Sequence, residues 1–304
     1  MSTPVLEKVN AHLHDEFIVF QEEGHKYTIT NDVESKYTSV TTWNHSHFPK
    51  FDADSIIDKM MKGKNWKPGH KYWGMNKEDI KNQWNANGQN VSSAGTDMHF
   101  NIECFMNNDI VPYPYTHTDL HKHYTETTIT EGEKDTSIEW QYFLKFVDDH
   151  PELKPYRTEW LVYDKELKLS GAIDMVYENP DGSLMIYDWK RSKGISAVNN
   201  FNKFAEVECI SHLPDSNYWH YSLQLNTYKR ILERNYGKKV TNLCLVRIHP
   251  DCDENTYEII DVPDLTKDID TLFELRRNQL MENTNETEKV VKKGSKKTLK
   301  IMTN

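Results

Sequence analysis

The stretch that most constrains the chain runs from Gly171 to Lys190, GAIDMVYENPDGSLMIYDWK. Two apolar runs flank Asn179-Pro180-Asp181-Gly182. Proline presets the first central position of a turn, and Asp then Gly suit the positions that follow. The spacing predicts a tight hairpin, with one strand ending near Tyr177 and the next starting near Leu184. Side chains alternate along a strand, so Asp188 and Lys190 share a face with Leu184 and Ile186. Asp174, in step with Ala172 and Val176, can face the same way one strand over. Two carboxylates and a lysine then converge at the end of a sheet that is otherwise apolar on both faces.

Unpaired charge is costly to bury, so such a cluster needs a reason. Two Asp side chains holding Mg²⁺ or Mn²⁺ supply one, because hard cations prefer oxygen ligands. A lysine beside the metal can orient or deprotonate a water and stabilise phosphoryl charge. The alternative is a surface hairpin with solvated charges. It is disfavoured because Asp and Lys are depleted in strands and here interrupt apolar runs.

With 304 residues the chain has room for one large domain or two small ones, and 37% hydrophobic residues suffice for a core. No apolar run reaches the ~18 residues of a membrane span, so no membrane association is expected. The N-terminus, MSTPVLEKVN, lacks the apolar region of a secretory signal. Cys104, Cys209, Cys244 and Cys252 are scattered without a CxxC pair, which suits a reducing intracellular compartment and no zinc or iron–sulfur site. A net charge of −10 argues against a simple basic coat for nucleic acid. The acidity is uneven, since residues 289–304 carry six lysines and no acid. An acidic body can still bind nucleic acid where metals and local basic patches offset the repulsion.

Along the chain, 17–20, 25–30 and 37–43 read as short strands. A helix starts near Asp54 and stops at Gly63. Asn76 and Asp79 resemble a capping box for a second helix that ends at Gly88. Between these helices lie Lys62, Lys64, Trp66, Lys67, Lys71 and Trp73, lysines interleaved with rings. Lysines can meet phosphates while rings stack on bases, as single-stranded nucleic acid requires, although a solvated loop with its rings in the core explains the pattern equally well. A third helix, from Ser93 or Thr96 to Met106, carries an apolar stripe of Met98, Ile102, Phe105 and Met106 with His99 at its edge. Residues 107–136 read as a surface insertion, and Ser137 to His150 as a helix stopped by Pro151. Thr158 to Asp164 reads as a strand on which Glu159 shares a face with Leu161 and Tyr163. Arg191 and Lys193 follow the hairpin and could contact phosphates. A helix capped by Asp215 or Ser216 runs to Tyr236 with Gln224 and Tyr228 one turn apart, and a residue pair of that kind is by itself unremarkable. Strands near 243–248 and 257–262 and a helix from Asp264 complete the ordered part, before a polar, basic tail.

Asp174, a hairpin, then Asp188-Trp189-Lys190 resembles the motif of the PD-(D/E)XK nuclease superfamily in its Asp-x-Lys form. Gly171 three residues before Asp174, Gly95-Thr96-x-x-His99-x-x-Ile102-Glu103, an acid opening the preceding strand at Glu159, and Gln224-x-x-x-Tyr228 resemble its RecB-like exonuclease branch, which includes the mitochondrial genome-maintenance type and viral and phage exonucleases. The five features occur in the family's order over about residues 92–236. The iron–sulfur members of that branch need grouped cysteines that this chain lacks, and no GxxxxGK[ST] of a fused motor occurs.

The resemblance implies an α/β fold with a restriction-endonuclease-like core, a mixed central β-sheet flanked by helices. It assigns 1–91 to N-terminal β/α elements beside the substrate groove, 92–283 to the core and 284–304 to the tail. It implies that His99, Asp174, Asp188 and the Trp189 backbone carbonyl hold Mg²⁺ or Mn²⁺, with Glu159 assisting a second ion. Lys190 would orient the attacking water, and Gln224 and Tyr228 would serve the substrate phosphate. The implied activity is a metal-dependent deoxyribonuclease, an exonuclease on single-stranded DNA ends that leaves 5′-phosphates. It would work inside a cell, in cytoplasm, nucleus or a viral replication compartment. The alternatives are an RNA-directed endonuclease and a non-catalytic nucleic-acid-binding module on the same fold.

Overall fold

The computed structural model describes residues 3–127, 137–199 and 201–282. The lysine-rich tail and the end of the 107–136 insertion lie outside them. A short helix α1 (Val5–Val9) precedes an antiparallel hairpin of β1 (Ile18–Gln21) and β2 (Lys26–Ile29). The strand expected over 37–43 is mostly helix. Only Thr38–Ser39 is extended (β3), and α2 (Val40–His45) follows at once. The β-branched Val40-Thr41-Thr42 run suggests a strand, but the Ser39 hydroxyl accepts the Thr42 amide at 3.1 Å and starts a helix.

Next come α3 (Ala53–Met61) and α4 (Lys77–Met106). Asn76 caps α4 as expected, its side chain accepting the Asp79 amide at 2.9 Å. The two helices expected over 76–106 are one helix of 30 residues that passes through Gly88 and Gly95 and across position 91. A helical glycine costs only about 1 kcal/mol relative to alanine, and no proline interrupts this stretch. Its middle, residues 85–93, is exposed on every side. The 107–136 segment is more than a surface insertion. It contains α5 (His117–Glu126), opened by a Thr116/Asp119 capping box, and buries Tyr115, His117 and Leu120. Helix α6 (Ile138–Asp149) is capped by Ser137 as expected.

The predicted hairpin forms. Strand β4 (Pro155–Asp164) runs antiparallel to β5 (Leu169–Glu178), and β5 turns through 179–183 into antiparallel β6 (Leu184–Lys190). Helix α7 (Asn217–Asn235) carries the chain over to β7 (Val240–Arg247), parallel to β6, and β8 (Glu258–Asp261) closes the edge antiparallel to β7. A last helix, α8, covers 266–282. The result is a mixed six-stranded sheet with helices on both faces. On one face, Val176, Leu184 and Ile186 pack with Leu223, Leu225 and Ile231 of α7 and with Phe273 of α8. On the other, Met175, Tyr187 and Trp189 pack with Ile102 and Met106 of α4 and Phe143 and Phe146 of α6. Among the described residues no helix is long and apolar enough to cross a membrane.

One edge of β5 is lined by β4 along its length. The other edge is shared: β6 pairs with Met175–Glu178, and β3 pairs with Leu169 and Ser170. Residues 171–174 are left between two diverging neighbours, and the sheet opens there. A β-carbon on Gly171 would lie 2.5 Å from the Tyr228 hydroxyl and 2.8 Å from a ring carbon. Tyr228 of α7 therefore seats against bare backbone in that opening. Gly171→Ala should destabilise the fold by about 1–3 kcal/mol, the cost of overpacking a core. Urea unfolding will show this, and an unchanged midpoint would contradict the packing described.

Candidate metal centre

The register aligns acids from three strands. Thr158↔Met175 and Trp160↔Ile173 place Glu159 of β4 opposite Asp174 of β5. One step beyond Met175↔Tyr187, the ladder brings Asp188 of β6 opposite Asp174 on its other side. Like charges directly across a sheet repel, so this row of three carboxylates needs compensation. Glu159 also sits at φ 42°, a left-handed conformation that costs a non-glycine residue energy. Its strain marks the point where β4 leaves regular geometry beside the opening.

Two cations meet the row. His99 reaches over from α4, held there by the buried stripe of Met98, Ile102 and Met106 on its helix. Its Nε2 lies 3.0 Å from the Trp189 carbonyl oxygen, and its Nδ1 lies 3.6 Å from Asp174 and 3.7 Å from Glu159. Lys190 lies 2.5 Å from Asp188 and places its ammonium 4.6 Å from the centre of the Tyr221 ring. The Trp189 amide donates to Asp174 at 3.1 Å. Asp188 is 2% exposed, and its buried Oδ2 is the atom that the Lys190 ammonium faces.

These contacts move the titrations. Burial alone would lower His99, but the Asp174 and Glu159 carboxylates override it and raise its pKa to about 9. Burial and then the Asp174 charge push Asp188 up to about 7, with Lys190 pulling the other way. Burial also raises Asp174. Lys190 would be lowered by burial, yet Asp188 and Asp174 hold it above its ordinary value. Without metal, a proton on His99 and the Lys190 ammonium supply the countercharge.

The donor set fits a divalent cation. Ligand atoms of His99, Glu159 and Asp174 all lie within 4.8 Å of one another. When Nε2–H donates to the Trp189 carbonyl, Nδ1 presents its lone pair to the carboxylates. Backing a metal-binding histidine by a backbone carbonyl in this way is a common arrangement.

Of the expected site residues, the structure thus brings together His99, Glu159, Asp174, Asp188, Trp189 and Lys190. Asp188 stands one strand beyond the His99–Glu159–Asp174 trio and is paired with Lys190. The Trp189 carbonyl, expected as a metal ligand, accepts from His99. Tyr228 is buried and within electrostatic reach of Asp174 and Asp188, and its hydroxyl is hydrogen-bonded to the half-buried Gln224. Arg191 is held by Glu139, Nε to Oε1 at 2.8 Å, so its charge is already compensated. Lys193 is exposed, 3.5 Å from Asp251.

The lysine–aromatic loop joins α3 to α4. Lys62, Lys64, Lys67 and Lys71 are exposed, and among the described residues none of the four makes an ion pair. Trp66 and Trp73 lie with ring centroids 5.7 Å apart, Trp73 being 46% exposed. The Trp84 indole donates to the Tyr72 hydroxyl at 3.0 Å and ties the loop to α4. Fifteen residues of helix separate Trp84 from His99, ~22 Å at 1.5 Å per residue.

Tyr27 is a neighbour that the sequence reading missed. Burial, then Glu159 and Asp174, raise it to about 12, and it comes from β2. The hairpin brings it there by packing Ile18 and Ile29 on Leu161 and Tyr163 of β4. Alternation along 26–29 was the available signal, but nothing local says against which strand the hairpin docks. No family model and no curated protein sequence matches the chain.

The pH dependence follows from the directions of these shifts. Asp188 keeps its proton to about 7 when folded against 3.8 unfolded, so stability falls across that window as pH rises. The imidazolium of His99 lends stability that is complete below 6.5 and is lost as pH rises to about 9. Both act in the same direction. The buried His47 and His117, lowered to about 4 and about 3, act the other way below pH 6.5, so the metal-free protein should melt at progressively lower temperature from about pH 7 to 9, where His99 loses its proton, and Mg²⁺ should flatten that limb. Parallel melting curves in chelator and in Mg²⁺ check this, and superimposable profiles would contradict it.

Proposed function

We propose that the protein is a divalent-metal-dependent nuclease with a restriction-endonuclease-like core of the RecB-related kind, acting on single-stranded DNA ends. The observation that carries the reading is the row Glu159–Asp174–Asp188 across three adjacent strands, with His99 at one end and Lys190 at the other. That pattern joins residues from α4, β4, β5 and β6 that lie up to 91 positions apart. A structural ion-pair network would balance its acids one for one, whereas here three carboxylates face two cations, with His99 shared by Glu159 and Asp174 and Lys190 on Asp188.

Bound Mg²⁺ or Mn²⁺ would supply Lewis acidity toward the scissile phosphate and countercharge for the leaving oxygen. His99, Glu159 and Asp174 would hold it, with Asp188 beside them. The chain's own groups do the rest. His99 is oriented through Nε2 by the Trp189 carbonyl. Lys190 stays protonated between Asp188 and the Tyr221 ring, so it acts as a fixed cation that orients a water and meets phosphoryl charge. Tyr228, wedged against Gly171, sets the depth at which Gln224 meets the opening. The exposed lysines and rings of the α3–α4 loop offer a second contact for the same strand.

Asp188→Ala and Lys190→Ala should each lower Mg²⁺- or Mn²⁺-dependent cleavage at least about 100-fold, with circular dichroism unchanged. Undiminished cleavage in both would reject the assignment. Labelled DNA and RNA strands with free or blocked ends separate the exonuclease from the RNA endonuclease. Loss of cleavage on blocking DNA ends is the expected result.

A further inference from the structure

Beside His99 the opening widens into a cavity of about 820 Å³, within the ~300–1,000 Å³ range of small-ligand sites. Rings line it from two elements. Phe100, the neighbour of His99 on α4, is 59% exposed. Phe20, His25 and Tyr27 come from the β1–β2 hairpin, with Phe20 centred 4.8 Å from Tyr27 and 4.9 Å from His25. Rings on both elements beside a phosphate-directed site, the half-buried Phe20 and Tyr27 and the exposed His25 and Phe100, are unusual, because a metal site needs no aromatic walls.

The charge of the lining narrows the occupant. Glu7, Asp15, Glu22, Glu103 and Glu159 all face the cavity. The lone guanidinium there among the described residues, Arg157, is committed to Asp15 at 2.7 Å and to the Asn10 carbonyl at 3.1 Å. A phosphodiester backbone running through this space would meet repulsion at each step. Among the described residues, countercharge for a phosphate gathers only at its edge, where a cation would sit among His99, Glu159 and Asp174. A flat, uncharged ring suits the remainder, since every base has a face to stack and donors that carboxylates can accept.

We infer that the cavity is a nucleobase subsite, which takes the last base of a single strand between Phe100 and the Phe20–Tyr27 pair while the adjoining phosphate lies at the metal trio. This rests on the nuclease reading above. It adds that the strand ends inside the cavity and cannot pass through it. The base must arrive unpaired, because a partner strand would bring its own phosphates against the acids. Cleavage then proceeds one terminal nucleotide at a time.

The test is a binding measurement that does not depend on turnover. Fluorescence anisotropy in Ca²⁺ compares a natural oligodeoxynucleotide with strands abasic at the 5′ end, at the 3′ end or internally. For the wild-type protein, removing the base at one end should weaken binding about 5- to 100-fold, and removing an internal base should matter little. The double variant Phe20→Ala/Phe100→Ala should bind the natural strand as weakly as the wild type binds the abasic-ended one, and should not discriminate between the two. Equal wild-type affinity for natural and both abasic-ended strands overturns the subsite, as does undiminished discrimination in the variant. Mn²⁺-dependent cleavage of the same natural strand, followed in parallel, tests the nuclease reading separately. End-base discrimination without cleavage leaves the subsite standing, and cleavage without discrimination removes the subsite alone.

Discussion

Three carboxylates side by side across one sheet repel each other, and the rest of the site answers that repulsion. Glu159, Asp174 and Asp188 occupy the same level of β4, β5 and β6, and Asp188 is almost wholly buried. In the free protein a protonated imidazole on one side and an ammonium on the other partly neutralise them. The balance is incomplete, two cations for three carboxylates, and burial together with the neighbouring carboxylates raises Asp174 and Asp188. Natural proteins keep such arrangements where binding or chemistry uses the imbalance.

The fold makes the crowding possible by opening the sheet. Strand β5 exchanges one neighbour for another between Ser170 and Met175, which leaves four residues of edge unpaired on that side. Three elements converge on the opening. The stripe of α4 anchors His99, α7 delivers Tyr228 against Gly171, and the N-terminal hairpin brings Tyr27 to Glu159. Each is fixed by apolar packing some distance from the charges, so the charged groups themselves need not supply the stability of their own placement.

Much of this was legible in the sequence, and the reasons differ by element. The turn chemistry of Asn179–Gly182 located the hairpin, and period-two alternation put Asp188 and Lys190 on the face of Leu184 and Ile186, where they are found. Capping residues located the starts of α4, α6 and α7 within a residue. The end of the helix that starts at Asn76 was misread because glycine is a weak breaker when no proline follows, so Gly88 and Gly95 sit inside one helix. Residues 40–43 were misread because β-branched propensity lost to a serine cap. The left-handed turn of Glu159, the docking of the β1–β2 hairpin and the aromatic wall that it carries depend on which surfaces meet. No local pattern encodes that. Arg191 shows the converse, since its position just beyond β6 suggested a phosphate contact, while Glu139 from α6 already claims it.

The most direct test of the central claim is anomalous diffraction at the manganese edge from crystals soaked in Mn²⁺. The account predicts an anomalous peak bounded by His99 Nδ1 and the carboxylates of Glu159 and Asp174, with Asp188 alongside. Well-ordered crystals in which that region carries no manganese, while His99 and Lys190 still pair with the acids, would contradict it.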